Sequence, residues 1–194
     1  MSKVASRPIS RRTILYATIA VVVLGAIVAV GLASRVPQSA TTVNQKAKLT
    51  IGQDAPSFAV STNAGPFDLA NVKTPVFLEV FATWCPHCQH EVKVLNGLYG
   101  QYGSRVHFVG VSGSEQGMDG TTAASQADVL AFVQKFGVRY PVAYDGDLTV
   151  AKKYLQGGFP TIVVIGSDNK IRAVRDGEIS PKQLTGDLDS ALKG

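Results

Sequence analysis

The chain has only two cysteines, Cys85 and Cys88, and they stand three residues apart. A pair at that spacing can cycle between dithiol and disulfide, passing two electrons each time. Just before it, Val76 to Phe81 is apolar except for Glu79 and reads as a buried strand. Pro86 follows Cys85, and residues suited to a helix follow Pro86. Cys85 is therefore predicted where a strand hands over to a helix, with Pro86 in the first turn, where a missing N–H costs little. Unpaired N–H groups and the positive end of the helix dipole favour the nucleophilic thiolate there. Cys85 thus reads as the exposed, attacking thiol. Cys88, one helical turn on, reads as the more buried resolving thiol within reach of a disulfide. His87 between them can add charge or a donor, and Trp84 would shield the sulfurs on one side.

Other uses of two cysteines fit less well. A structural zinc site needs four ligands, and His87 and His90 share one short segment with the cysteines. Haem attachment requires a histidine directly after the second cysteine, where Gln89 stands. A purely structural disulfide over this spacing closes a tiny loop and gains little. No metal and no cofactor is expected, and a redox role remains.

Glu79 through Cys88 resembles the active-site segment of the thioredoxin superfamily, W-C-x-x-C after a central strand. The fuller pattern is similar to membrane-anchored TlpA/ResA-type thiol–disulfide oxidoreductases. Ile51-Gly52-Gln53-Asp54-Ala55-Pro56-Ser57-Phe58 followed by Gly65-Pro66-Phe67-Asp68-Leu69 resembles the N-terminal hairpin of that branch, and Gly158-Phe159-Pro160-Thr161 its cis-proline loop. An extra stretch lies between the strands near Val106–Val111 and Thr161–Ile165. The resemblance runs from about Leu49 to the C-terminus.

It carries several expectations. The Phe159–Pro160 bond would be cis and lie opposite the cysteines. Trp84, Pro86, His87, Phe159 and Pro160 would meet the substrate, with Phe159 offering backbone groups to a substrate strand. Phe159 replaces the small or β-branched residue common at that place, which bears on partner specificity. Alternation puts Glu79 on the sheet face of Phe77 and Phe81, where a carboxylate is expensive to bury. The resemblance implies a buried acid under the cysteines there, moving the proton of Cys88 when a mixed disulfide resolves. Burial would raise its pKa toward that of a base working near neutral pH. His90 and His107 read as surface residues without a role.

The implied activity is disulfide exchange with client proteins, as a reductant in cytochrome c or copper-site maturation. Cys-Pro-His-Cys is also the active-site sequence of DsbA-like oxidants, whose thiolate is strongly stabilised. A peroxiredoxin-type peroxidase wants threonine three residues before its cysteine, where Ala82 stands. A copper-binding assembly factor could use both thiolates, with His107 the one candidate distant ligand.

Residues 1–12 carry Lys3, Arg7, Arg11 and Arg12 and no acid, and Thr13 to Leu32 is uncharged and rich in Val, Ile, Ala and Leu. We read 13–33 as a transmembrane signal-anchor, with a cytoplasmic tail at 1–12. A cleaved signal peptide would have a shorter apolar run and a better A-x-A site. Residues 34–48, Ser/Thr/Gln/Ala-rich, read as a flexible linker, and 49–194 as the thioredoxin-like domain. That domain would sit outside the plasma membrane, where disulfide chemistry has meaning, and a membrane redox partner would recycle it. The net charge of +5 falls to +1 without the four basic residues of the tail. The basic bias therefore reports membrane orientation and not nucleic acid.

Within the domain, short strands are expected at Phe58–Val60 and Phe67–Leu69, then Val76–Phe81, a helix from Pro86 to about Tyr99, and a strand at Val106–Val111. An exposed Gly/Ser/Thr-rich loop follows from Gly113 to Ser125, then a helix at Ala127–Phe136 ended by Gly137. Val142–Tyr144, a short helix at Thr149–Leu155 and a hairpin of Thr161–Ile165 with Ile171–Val174 come next. Ser180 and Pro181 open the last helix, whose Leu184, Leu188 and Leu192 face the core. The fold class is α/β, a thioredoxin fold with a mixed sheet flanked by helices and an N-terminal hairpin extension.

Overall fold

The computed structural model describes residues 48–194. The basic tail, the transmembrane segment 13–33 and all but the last residue of the linker lie outside the described residues. Among the described residues no helix is long and apolar enough to cross a membrane.

Among the described residues the first strands form a hairpin, β1 (Ala59–Thr62) and β2 (Gly65–Asp68). Thr62 Oγ1 donates to the Gly65 carbonyl at 2.7 Å, which closes the turn at Asn63-Ala64. Gly65 and Pro66 therefore join a strand, and both strands fall a residue or two from where composition put them. Leu69–Asn71 forms one 3-10 turn capped by Asp68. Then come β3 (Val76–Phe81), helix α1 (Pro86–Tyr102) and β4 (His107–Ser112). Helix α1 runs three residues past Tyr99 and buries Tyr102. After a loop come α2 (Gln126–Phe136), β5 (Val142–Tyr144), α3 (Thr149–Tyr154), β6 (Thr161–Ile165), β7 (Ile171–Asp176) and α4 (Pro181–Ala191).

The caps explain these boundaries. Ser125 and Asp128 form a reciprocal capping box on α2, and Gly137 ends it with φ +64°, a conformation that glycine adopts freely. Ser180 caps α4 and Pro181 fills its first position.

The strands make one seven-stranded sheet in the order β2-β1-β5-β4-β3-β6-β7. β3 pairs parallel with β4 and antiparallel with β6. The hairpin joins the sheet where Thr62 of β1 opposes Ala143 of β5. All six residues of β3 are buried, because helices and loops cover both faces. Phe77 and Phe81 point into one core with Val92 and Leu95 of α1, Phe132 of α2, and Leu184 and Leu188 of α4. Val76, Leu78 and Val80 point into the other, with Phe58, Val109, Val111 and Tyr154. Leu192 ends up half-buried just past α4, and Ala191 takes the core position.

The stretch from Gly113 to Ser125 is not a simple exposed loop. Gly113, Ser114 and Gly117 are buried, and Gln116 and Ala123 pair as an isolated bridge. Asp128 ties it down by accepting from the Met118 amide at 3.1 Å.

Candidate active site

Strand β3 delivers Ala82, Thr83 and Trp84 to the N-terminus of α1, and Cys85 is the N-cap of that helix in extended conformation. Its amide donates to the Ala82 carbonyl at 3.1 Å, and its carbonyl accepts the Gln89 amide at 3.1 Å. Gln89 Nε2 reaches back to the Thr83 carbonyl at 2.9 Å, locking the turn. Pro86 stands exposed at the first helical position, where no donor is missed.

The Phe159–Pro160 bond is cis, and the Phe159 carbonyl accepts from Cys85 Sγ at 3.5 Å. Thr161 fastens this loop, donating to the Gly158 carbonyl at 2.8 Å and to Asp176 at 3.0 Å. The rings of Phe159 and Trp84 meet edge to face at 6.1 Å. The Trp84 indole N–H donates to Ser114 Oγ at 2.8 Å, so the 113–125 loop holds the tryptophan.

Both cysteines are free thiols. Cys85 is not the exposed residue that its place at a helix start suggests. It is 4% exposed against 0% for Cys88, because Phe159 and its carbonyl cover the sulfur from the facing loop. Burial, and after it the nearby Glu79, push the Cys88 thiol far above its ordinary pKa. Cys85 lies within hydrogen-bond reach of it.

Glu79 is 2% exposed. It lies between Phe77 and Phe81 on the α1 side of the sheet, as strand alternation requires. Burial raises its pKa to about 8, against a lowering by its hydrogen bond from Tyr140 and with a smaller push from Glu91. Tyr140 donates its hydroxyl to Glu79 Oε2 at 2.8 Å.

Composition did not point to Glu91. Gln89-His90-Glu91 looks like a solvated helical run, yet Glu91 is 3% exposed. Its one available signal was the three-residue spacing from buried Cys88. Oε1 accepts from the Ile179 amide at 3.3 Å, and Oε2 has no partner. Burial raises its pKa to about 7, with Glu178 adding to the rise, while the Ile179 amide and His87 oppose it. Glu178 was also missed. It receives His87 Nδ1 at 3.3 Å and His90 Nδ1 at 3.4 Å, so both histidines face this carboxylate. His107 is exposed and pairs with Thr74 at 2.8 Å. Among the described residues no group of three or more His, Cys, Asp or Glu is placed to hold a metal ion.

A mixed sheet with a dithiol at the head of the helix after its central strand, facing a cis-proline loop, defines a thioredoxin-like redox protein. The chain belongs to the AhpC/TSA family, whose model matches residues 51–174. It is 32% identical over 146 residues to the thiol–disulfide oxidoreductase ResA of Bacillus thuringiensis (strain Al Hakam), covering 74% of this chain and 79% of the relative. The ResA of Bacillus subtilis (strain 168) is 29% identical over 142 residues, covering 72% and 74%. Solved structures share the fold. A secreted disulfide oxidoreductase of Mycobacterium tuberculosis has a TM-score of 0.56 at 24% identity, over 69% of this chain and 95% of its own. StoA of Bacillus subtilis has a TM-score of 0.57 at 20% identity, over 68% and 96%. The chain is a thiol–disulfide oxidoreductase.

Proposed function

We propose that this enzyme is tethered to the plasma membrane by residues 13–33 and reduces disulfides of extracytoplasmic client proteins, such as those awaiting haem or copper insertion. The observation that carries disulfide exchange is the Cys85–Cys88 pair set against the cis Phe159–Pro160 loop, with buried Glu79 acting on Cys88. Burial keeps Cys88 a thiol, which suits it to resolve and not to attack. The reducing direction follows from the resemblance to TlpA/ResA-type proteins, and the reduction potential tests it.

In the first step the Cys85 thiolate attacks a client disulfide. An S–S bond forms between Cys85 and one client sulfur, and the other leaves as a thiol after taking a proton. Glu79 then accepts the proton of Cys88. The Cys88 thiolate attacks Cys85 Sγ, the mixed disulfide breaks, and the second client thiolate departs. Two electrons have moved to the client, and the enzyme holds a Cys85–Cys88 disulfide. A membrane redox partner returns the electrons. The client strand would lie along Phe159 and Pro160, with Trp84, Pro86 and His87 on its other side.

The Cys-Pro-His-Cys sequence supports a second reading, a DsbA-like oxidant. The reduction potential separates the two, since thioredoxin lies at about −270 mV and DsbA at about −120 mV. A value nearer the former is expected, and one nearer the latter makes the enzyme an oxidant. In cells, Cys88→Ala should accumulate mixed disulfides with clients, and Cys85→Ala few. The reverse pattern would overturn the order of the thiols. The anchor is tested by protease added to cells stripped of their outer layers. It should leave a small membrane-bound fragment, whereas a soluble protein beginning near Ser34 would mean cleavage.

A further inference from the structure

In β3, the residue opposite Glu79 on the parallel neighbour β4 is Gly110, and opposite it on β6 is Ile162. A side chain at 110 would occupy the space beside the acid. A Cβ built there would come within 3.1 Å of Tyr140 Cε2 and 3.0 Å of Val142 Cγ1, tighter than ordinary contacts. The Tyr140 ring fills the notch that glycine leaves. The Gly110 amide also donates to the Pro141 carbonyl at 2.9 Å, pinning the segment that carries the ring. Tyr99 of α1 borders it edge to face, with centroids 6.5 Å apart.

Tyr140 is 3% exposed, so its hydroxyl is out of water. For packing alone a phenylalanine would serve. A buried phenol must find a partner, and this one ends 2.8 Å from Glu79 Oε2. Sequence distance hides the pair, since 61 residues separate them.

We infer that Tyr140 is a positioning residue for the redox reaction: across the notch at Gly110 it holds Oε2 of Glu79, leaving Oε1 to exchange the proton of Cys88. The inference rests on the proposed role of Glu79 as proton carrier. The bond does two things. It fixes the rotamer of the carboxyl whose charge acts on Cys88. As a donor to the carboxylate, it also opposes the burial that raises the acid. The titratable groups facing Glu79 are Tyr140 from the segment entering β5 and Cys88 and Glu91 from α1. Glu91 and ionised Cys88 disfavour a second negative charge, and Tyr140 alone among them favours it.

The test uses the full-length protein carrying a mixed disulfide between Cys85 and 5-thio-2-nitrobenzoate. Its resolution by Cys88 is followed by stopped flow from pH 5 to 10. In Tyr140→Phe the pH midpoint of resolution should rise by about one unit or more. The rate at neutral pH should fall up to about tenfold per unit and recover at high pH. In a Glu79→Gln background the same substitution should change nothing at any pH. The carboxyl 13C resonance of Glu79 should titrate higher in Tyr140→Phe. An unmoved midpoint, an unmoved carboxyl titration, or an equal slowing in the Glu79→Gln background each overturn the positioning role while Glu79→Gln itself still slows resolution. If Glu79→Gln leaves resolution untouched, the proton-carrier reading has failed and takes this one with it.

Discussion

Glu79 and Glu91 are both buried, and the charge on Glu91 makes Glu79 harder to ionise. A pH profile of resolution therefore carries the influence of Glu91 on Glu79. Glu91→Gln removes the charge that pushes Glu79 upward. The expected outcome is a pH midpoint for disulfide resolution lower than in the wild type, read by the same stopped-flow trace. An unchanged midpoint would show that the acids do not communicate. Glu79→Gln has the larger effect. It should slow resolution about 10²–10⁴-fold, the range for losing a positioned proton acceptor. Wild-type turnover at every pH would remove Glu79 from the reaction. Glu79 was legible because an acid inside an apolar strand is conspicuous. Glu91 was not, because its neighbours Gln89 and His90 are half-exposed and exposed, and only the fold turns its side inward. The burial of Cys85 was equally hidden, since what covers it comes from Phe159, far along the chain.

At the scale of elements, the sequence located the strands and α-helices of the described residues to within a few residues, because caps and periodicity are local, but it put Leu69 in a strand where a 3-10 turn begins. Ser125, Gly137, Ser180 and Pro181 stop or start helices by their own chemistry. What local chemistry could not show is where elements press together. Gly113 continues β4 by donating its amide to the Phe81 carbonyl at 3.0 Å. A Cβ there would lie 2.6 Å from Ala151 Cβ in α3 and 3.2 Å from Val80 Cγ1. Nothing in Ser112-Gly113-Ser114 announces that α3 crosses so near. Gly113→Ala should therefore destabilise the domain by about 1–3 kcal/mol, the usual cost of overpacking. The change is read from the urea midpoint of the reduced protein. No loss would mean that α3 can move away without penalty. Ser114 is the next residue and holds Trp84, so a displaced loop should also redshift and weaken the protected tryptophan emission.

For the whole molecule, the sheet separates two cores, and the acids sit in the one that also holds the thiols. The fold therefore bears the cost of its chemistry in its own stability, and that cost depends on pH. Glu79 has a pKa of about 8 in the folded protein, above its ordinary 4.5. The native state thus holds this proton more tightly than the unfolded chain does. Stability contributed by the protonated acid is fully present below about pH 4.5 and lost as pH rises toward 8, with no further loss above. Glu91, raised to about 7, acts in the same direction over a narrower window. In Glu79→Gln the amide keeps the shape and cannot ionise. The difference in unfolding free energy, wild type minus variant, should therefore fall between pH 5 and 8. The drop should be on the order of a few kcal/mol, because each unit of pKa shift corresponds to about 1.4 kcal/mol. Urea midpoints of the reduced full-length protein across that range measure it, and taking the difference cancels the carboxyls common to both proteins. A flat difference would mean that Glu79 is solvated in the native state. It would then not be the buried acid on which proton transfer from Cys88 depends.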